Sequence, residues 1–340
     1  MTEPVVVADV IDDAAALAAH AAAWDELAIA ARRPVVAPAW LLAWLRHASD
    51  GARPHVVIVR DDDNIVALAP FVAVREHGIR RLRLMGARTS MGVDVLCRAG
   101  REREAAPLVA ARLDADAIAF DGVPAASPWP HLLGGRGLHA TRVTLRVPVP
   151  EIRLGHDWLA ARSANFRQQM RRAWRRLEAK GARLTRDVDV AGFARLHRAR
   201  WDARGGSGVL THGVEAMIED AAARLGPDRL RLFTLVVEDR AISSHLFLAA
   251  GGRVTYWLGG FDDDYAREHP GQVVILKAVE DAIGRGDDLL DLGAGDQSYK
   301  RRFATGEDVY QSSVVPLAGP RLPLVLGEVV ARRLRRKVAA

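Results

Sequence analysis

Two runs of three apolar segments, each joined by tight turns, constrain this chain more than any other feature. The first run is HVVIVR (55–60), IVALAPFVAV (65–74) and RRLRLMG (80–86), interrupted by Asp-Asp-Asp-Asn and Glu-His-Gly. The second is RLRLFTLVVE (229–238), AISSHLFLAA (241–250) and RVTYWLGG (253–260), interrupted by Asp239-Arg240 and Gly251-Gly252. Apolar runs of this length between turn residues predict antiparallel meanders, because such turns reverse the chain at once.

The flanks of the two meanders match in kind. Ahead of the first lie a strand at Val5–Val7 and helices over 12–31 and 40–47; behind it lie a helix at 102–113 and the strand AIAF (117–120). The segment 122–137 is rich in Pro and Gly and reads as loop, and VTLRVPVP (143–150) reads as the exit strand. The second half opens on a long helix, 156–180, followed by the strand ARLTR (182–186) and helices at 190–203 and 214–224. Behind its meander come a helix at 272–285, a strand at 289–292 and the final strand VYQSSVVPL (309–317). Each half therefore reads strand, two helices, three antiparallel strands, helix, strand. This is a repeat of architecture rather than of residues. A chain of 340 residues is long for one core and suits two. The expected fold is α/β (α+β), two mixed sheets flanked by helices, divided as 1–150 and 151–340.

Composition excludes more than it selects. Apolar residues make up 49% and charged residues 26%, so disorder is not expected. The N-terminus lacks the basic and apolar regions of a signal peptide, and the longest apolar run, Val35–Leu45, is too short to span a bilayer. The single cysteine, Cys97, excludes an intramolecular disulfide and a cysteine-based metal site. The simplest compartment is the cytoplasm. Net charge is +6, and of the 48 basic residues only Lys180, Lys277, Lys300 and Lys337 are lysines. Such an excess fits phosphorylated ligands, RNA or an anionic membrane equally. The segment Leu322–Lys337 reads as a basic amphipathic helix, which caps a core or lies on a membrane surface.

The chemistry concentrates between Gly259 and Phe303. DLGAGD (291–296) invites comparison with S-adenosylmethionine methyltransferases, yet too little chain follows to supply the strand–helix units that fold needs. A dinucleotide fold fails for the same reason and for want of G-x-G-x-x-G. The other reading uses His269, Pro270, Gly271 and Gln272, where a helix begins after an acidic loop. A helix start offers N–H groups and a positive dipole end to a phosphate, and glycine permits close approach. A plain helix start with proline in its first turn explains the same residues. On the helix at 156–180, Phe166, Met170, Ala173, Trp174 and Leu177 form one face, and Arg167, Arg171, Arg172, Arg175 and Arg176 crowd the other. That arginine face is either solvated or a phosphate clamp. Asp94, in MGVDVL at the mouth of the first meander, is a turn residue or a substrate ligand.

Taken together, the order of elements, GGFDDDYAREHPG, DLGAGDQSYKRRF and NFRQQMRRAWRRLE resemble the GNAT superfamily of N-acyltransferases. Within it, the chain resembles the cellulose-biosynthesis-type (CelD-like) acetyltransferases, whose members pair two GNAT-like units. The resemblance implies two tandem GNAT-like units, a degenerate first and a catalytic second, with acetyl-CoA or another acyl-CoA as co-substrate and no metal. It implies an N-acyl transfer to a primary amine or amino sugar, in cell-envelope or polysaccharide metabolism. Strands 253–260 and 289–292 would splay to admit the acyl chain, with N–H groups of the first serving the oxyanion. Asp262 would be base or amine-orienting group, and His245, which alternates with Ser243 and Phe247 on its strand, would be a further catalytic candidate. Tyr299 would be the acid and Asp291 would orient it or the substrate, while His269, Pro270, Gly271 and Gln272 would seat the donor's phosphates. The usual Arg/Gln-x-x-Gly-x-Gly/Ala loop is altered, with Glu268 before Gly271 and Val273 after it. The tandem plan also resembles the Fem-type aminoacyl transferases, which draw on charged tRNA, and there Lys300 matches a lysine that contacts an acceptor diphosphate. A non-catalytic partner of a polysaccharide synthase is the third reading.

Overall fold

The computed structural model describes residues 6–202, 206 and 208–338. The first part of the chain forms β1 (Val6–Ile11), α1 (Ala14–Ala18), α2 (Ala21–Ala30), α3 (Pro38–His47), β2 (Arg53–Asp61), β3 (Asn64–Glu76) and β4 (Ile79–Leu84). It continues through β5 (Leu96–Cys97), α4 (Glu102–Ala110), β6 (Ala117–Pro124), α5 (Trp129–Leu132) and β7 (Arg142–Arg153). Then come α6 (Ala164–Glu178), β8 (Arg183–Thr185), α7 (Val190–Asp202), α8 (His212–Arg229), β9 (Leu230–Val237), β10 (Arg240–Ala250) and β11 (Arg253–Phe261). The chain ends through α9 (Pro270–Gly284), β12 (Leu289–Asp291), α10 (Ser298–Phe303), β13 (Gly306–Pro316) and α11 (Leu322–Val338).

Two compact units result: Met1–Val147 together with Val309–Ala340, and Pro148–Asp308. In the first, β1 to β4 form an antiparallel series, β4 pairs β6 in parallel, and β6 pairs β13 antiparallel. In the second, β8 to β11 form an antiparallel series, β11 pairs β12 in parallel, and β12 pairs β7 antiparallel. The plans are the same, and each unit takes its closing strand from the other half of the sequence. Division at 150 and 151 assigned VYQSSVVPL to the second half. Instead Tyr310–Pro316 pairs with Ala117–Pro124, while Glu151–Arg153 pairs with Leu289–Asp291. Strand pairing is non-local, so local pattern carries no record of such an exchange.

Local signals explain most element boundaries. Ser163 caps α6 by accepting from Phe166 N at 3.2 Å, which starts that helix later than the expected 156. Phe166, Met170, Ala173 and Leu177 are buried at helical spacing. Phe166 packs edge-on against Phe303 at 4.9 Å, beside Trp158. Each such aromatic removes enough apolar surface from water to contribute about 2–3 kcal/mol. Gly226, at φ 68°, kinks α8 where Gly-Pro was expected to end it. A 3-10 turn at Asp263–Glu268 and the short helix α10 stand where the sequence suggested loop.

The terminal helix α11 buries Val325 and Val329 against Ile79, Ala117 and Val314. Its Glu328 also binds Arg81 of β4. Its described apolar side chains thus include two that cap the first unit, while Leu324 and Val330 are exposed. The side chains at 332–340 lie outside the described residues. Among the described residues no helix is long and apolar enough to cross a membrane.

Candidate functional site

β11 and β12 pair only over Arg253–Thr255 and Leu289–Asp291. β12 stops there, whereas β11 runs on to Phe261, so the strands part. The register against β10 also slips between Leu246 and Phe247, leaving Trp257 as an extra residue that bulges β11 at the parting. A cavity of about 160 Å³ fills the opening. His245 of β10, Tyr256 and Phe261 of β11, Arg200 of α7, Gln272 of α9 and Tyr299 of α10 line it.

Two glycines let these elements come so close. A Cβ at Gly259 would lie 2.5 Å from His245 Nδ1 and 2.7 Å from the Tyr256 hydroxyl. At Gly260 it would lie 2.5 Å from the backbone of Leu196 and His197 on α7. Real Cβ atoms do not approach so near, so side chains here would displace a helix and an imidazole. Gly271 has a similar reason: its Cβ would stand 3.2 Å from His245 Nε2 and 3.3 Å from Phe261. That glycine fits His245 packing, beside the anion approach expected of it.

His245 is only 4% exposed, and both of its ring nitrogens lack a hydrogen-bond partner among the described residues. The ring stacks on Tyr256 at 5.4 Å. Burial above all, then the charge of Arg200 and His197, push its pKa down to about 3. The imidazole is therefore neutral near pH 7, able to donate once and accept once but a weak base. Gln272 Oε1 is buried and also has no hydrogen-bond partner among the described residues. An orphaned buried polar group costs about 1–3 kcal/mol, so two around one cavity mark a place where a ligand or water completes the bonding.

Tyr299 is a protonated phenol: burial raises its pKa to about 12 against the opposing charge of Arg200. Burial raises the Tyr256 phenol well above its ordinary value too. The Arg200 guanidinium lies 4.0 Å from the Phe261 ring centre and 3.7 Å from Asp263. Among the described residues no carboxylate lines the cavity.

Several expected residues are occupied elsewhere. Asp262 caps the 3-10 turn through Asp264 N at 3.1 Å and pairs with Arg240, so it is not presented to the cavity as a free base. Asp291 is buried at the end of β12, accepting from Thr255 Oγ1 at 2.9 Å and Gly293 N at 3.0 Å and pairing with Arg253 at 3.1 Å. It pins the strands at their parting rather than lining the cavity. Lys300 is turned inward: its ammonium donates to Gly293 O at 3.0 Å and Ala294 O at 2.8 Å. Burial lowers its pKa to about 8, against the pull of Asp291. It latches the loop after β12 instead of reaching for an acceptor. Asp94 belongs to the first unit, where it is buried, accepts from Ser127 Oγ at 3.0 Å and Val95 N at 2.9 Å, and has its pKa raised by burial to about 6.

His245, Tyr299, His269, Gly271 and Gln272 are thus brought together, and Asp262, Asp291, Lys300 and Asp94 are not. Pro270 occupies the first position of α9 and is buried. The altered loop is also explained in part. Glu268 is held by Lys180 at 2.7 Å, which lowers its pKa and offsets its charge beside the helix start. Arg200 and Tyr256 escaped sequence reading, and so did the packing role of the glycine pair that opens the chemical stretch. Gly259-Gly260 at a strand end was the available signal, since a strand interior gains nothing from two glycines unless something approaches closely.

Residues 164–301 match the acetyltransferase (GNAT) domain family. The second unit carries a GNAT acyltransferase domain. The matched stretch begins in α6 and closes in α10, so it contains all the cavity residues named above. The solved structure of FemX is 13% identical, with a TM-score of 0.60 over 83% of this chain and 93% of that one. The C-terminal domain (DUF2156) of a protein described as a lysylphosphatidylglycerol synthetase from Agrobacterium fabrum is 9% identical, with a TM-score of 0.56 over 92% and 96%. A conserved protein of unknown function from Bacteroides thetaiotaomicron VPI-5482 is 11% identical, at 0.54 over 89% and 98%. At such identities the likeness is one of fold. A comparison with curated proteins found no match.

Proposed function

We propose that the GNAT domain transfers an acyl group, acetyl foremost, from acyl-CoA to a primary amine or amino sugar. The first unit is then a degenerate GNAT-like partner, as in the CelD-like pairing, with envelope or polysaccharide precursors in the cytoplasm supplying the acceptor. The observation that carries this reading is the cavity where β11 outruns β12, with a phenol held protonated at its wall. In the transfer, the amine lone pair attacks the thioester carbonyl, an oxyanion forms, and the C–S bond breaks to release thiolate. N–H groups of β11 beyond the end of β12, on the edge away from β10, are the oxyanion donors in this scheme. Tyr299 gives the thiolate its proton. His245, too weakly basic to deprotonate an ammonium, holds a polar group of the substrate, and the amine sheds its proton to water.

A Fem-type aminoacyl transfer shares the fold but asks the site to hold an α-ammonium. Among the described residues the cavity offers Arg200 and no carboxylate, which speaks against that cation. Purified protein should be warmed with acetyl-CoA and, separately, with lysyl-tRNA while unfolding is followed. Ligand that binds the folded state raises the melting temperature. Stabilisation by acetyl-CoA, with thiol release once an amine acceptor is added, is the expected result. Stabilisation by lysyl-tRNA alone would overturn the reading.

A further inference from the structure

A helix start holds a diphosphate through the free N–H groups of its first turn, and α9 has little to offer. Pro270 has no N–H, and those of Gln272 and Val273 donate to His269 O at 3.0 and 3.1 Å. The N–H of Gly271 has no acceptor among the described residues. One such group is thin support for two or more negative charges.

His269 lines a second space as well as the cavity. This is a groove of about 190 Å³ on α6, lined by Asn165, Gln168, Gln169, Arg172, Arg176 and His269. Its described polar lining is amides, guanidinium groups and an imidazole, with no carboxylate among the described residues. Arg172 and Arg176 are exposed, and neither makes an ion pair or hydrogen bond among the described residues. The neighbouring acid, Glu268, is engaged by Lys180. Gln169 is steadied by Arg302 of α10, which donates to its Oε1 at 2.5 Å. His269 sits at φ 52°, ψ 47°, a left-handed conformation that non-glycine residues seldom adopt. Strain of that kind persists where the surroundings require it.

We propose that the α6 groove is a phosphate-binding subsite that takes the nucleotide end of the donor, while the acylated arm passes His269 into the cavity. This rests on the acyl-CoA reading for the donor's identity, though the groove's chemistry asks only for phosphate. Guanidinium groups suit it because they meet phosphate oxygens two at a time.

The test uses the full chain and the R172Q, R176Q and R172Q/R176Q variants, all surface changes whose folding is checked by melting temperature. Calorimetry measures binding of acetyl-CoA, of S-acetylpantetheine, which lacks the nucleotide, and of adenosine 3′,5′-bisphosphate. Loss of charge-assisted bonds should weaken acetyl-CoA and the bisphosphate roughly tenfold or more in the double variant, while S-acetylpantetheine changes less than about twofold. An acetyl-CoA affinity unchanged in the double variant overturns the groove and leaves the acyl-CoA reading standing. Bisphosphate binding that disappears in the double variant, in a protein that never uses acetyl-CoA as donor, keeps the groove and removes the reading. Binding of tRNA that depends on these arginines, with no binding of the bisphosphate, overturns the proposal.

Discussion

The two units share a strand plan but differ at one equivalent place. In the second, β11 pairs β12 over Arg253–Thr255 and then runs on to Phe261 beside a cavity, paired there, among the described residues, with β10 alone. In the first, β4 pairs β6 over Arg81–Arg83 and stops at Leu84. There Arg81 and Arg83 are buried and tied to Glu76 at 3.0 and 2.7 Å. Arg83 also binds Asp121, and Arg81 binds Glu328. The following helices differ too: α4 carries Glu102 and Glu104 in its first turn, which repel an anion, whereas α9 has no acid there. One plan thus supports a packed ion-pair network in one unit and a ligand-sized opening in the other. A few residues of extra strand, and what fills the space beside it, make the difference.

That contrast is open to direct attack. The largest effect should come from Arg83→Met, which strands Asp121 and part of Glu76 without their cation. Breaking a buried pair costs about 3–5 kcal/mol, so denaturant unfolding should show that loss while turnover per folded molecule stays the same. A drop in turnover instead would give the first unit a part in the chemistry.

Next comes Tyr299→Phe, which removes the proposed proton donor and leaves the packing. Turnover should fall about a hundredfold or more, with little change in melting temperature. Because the phenol titrates only near pH 12, the wild-type rate should show no alkaline loss from this group below about pH 10. Retention of full turnover by the phenylalanine variant would remove Tyr299 from the mechanism.

The smallest effect concerns Asp94. Its pKa is raised from the ordinary value to about 6 on folding, so the folded state binds more protons than the unfolded state between those values. Stability should therefore fall as pH rises through that window. Asp94→Asn should be more stable than wild type by about 2–3 kcal/mol near pH 8, and most of the gain should be lost by about pH 4. A gain that persists at low pH would mean the carboxylate charge is not the cause.

Much of the fold was legible because it depends on near neighbours. Turn residues such as Gly251-Gly252 and apolar runs on either side define the meanders before any contact is made. The apolar periodicity of α6 and the Pro-Gly start of α9 are equally local. The site was half legible: Pro270, Gly271 and Gln272 mark a helix start on sight, and Tyr299 follows the strand end. Residue type could not say that Asp262 would be taken by Arg240 and the Asp264 amide, or that Lys300 would turn inward to Gly293 and Ala294.

By itself, then, the sequence determined two meanders, the helices that flank them and the stretch where chemistry concentrates, since periodicity and turn chemistry act over a few residues. Tertiary structure alone decided the exchange of β7 and β13 between units, because a strand's partner is chosen by register and burial far along the chain. It also decided that the His245 ring nitrogens and Gln272 Oε1 would stand buried around one cavity with no hydrogen-bond partner among the described residues. Desolvation is a property of the whole fold, and it turns a strand histidine into a neutral imidazole that can donate one hydrogen bond and accept another.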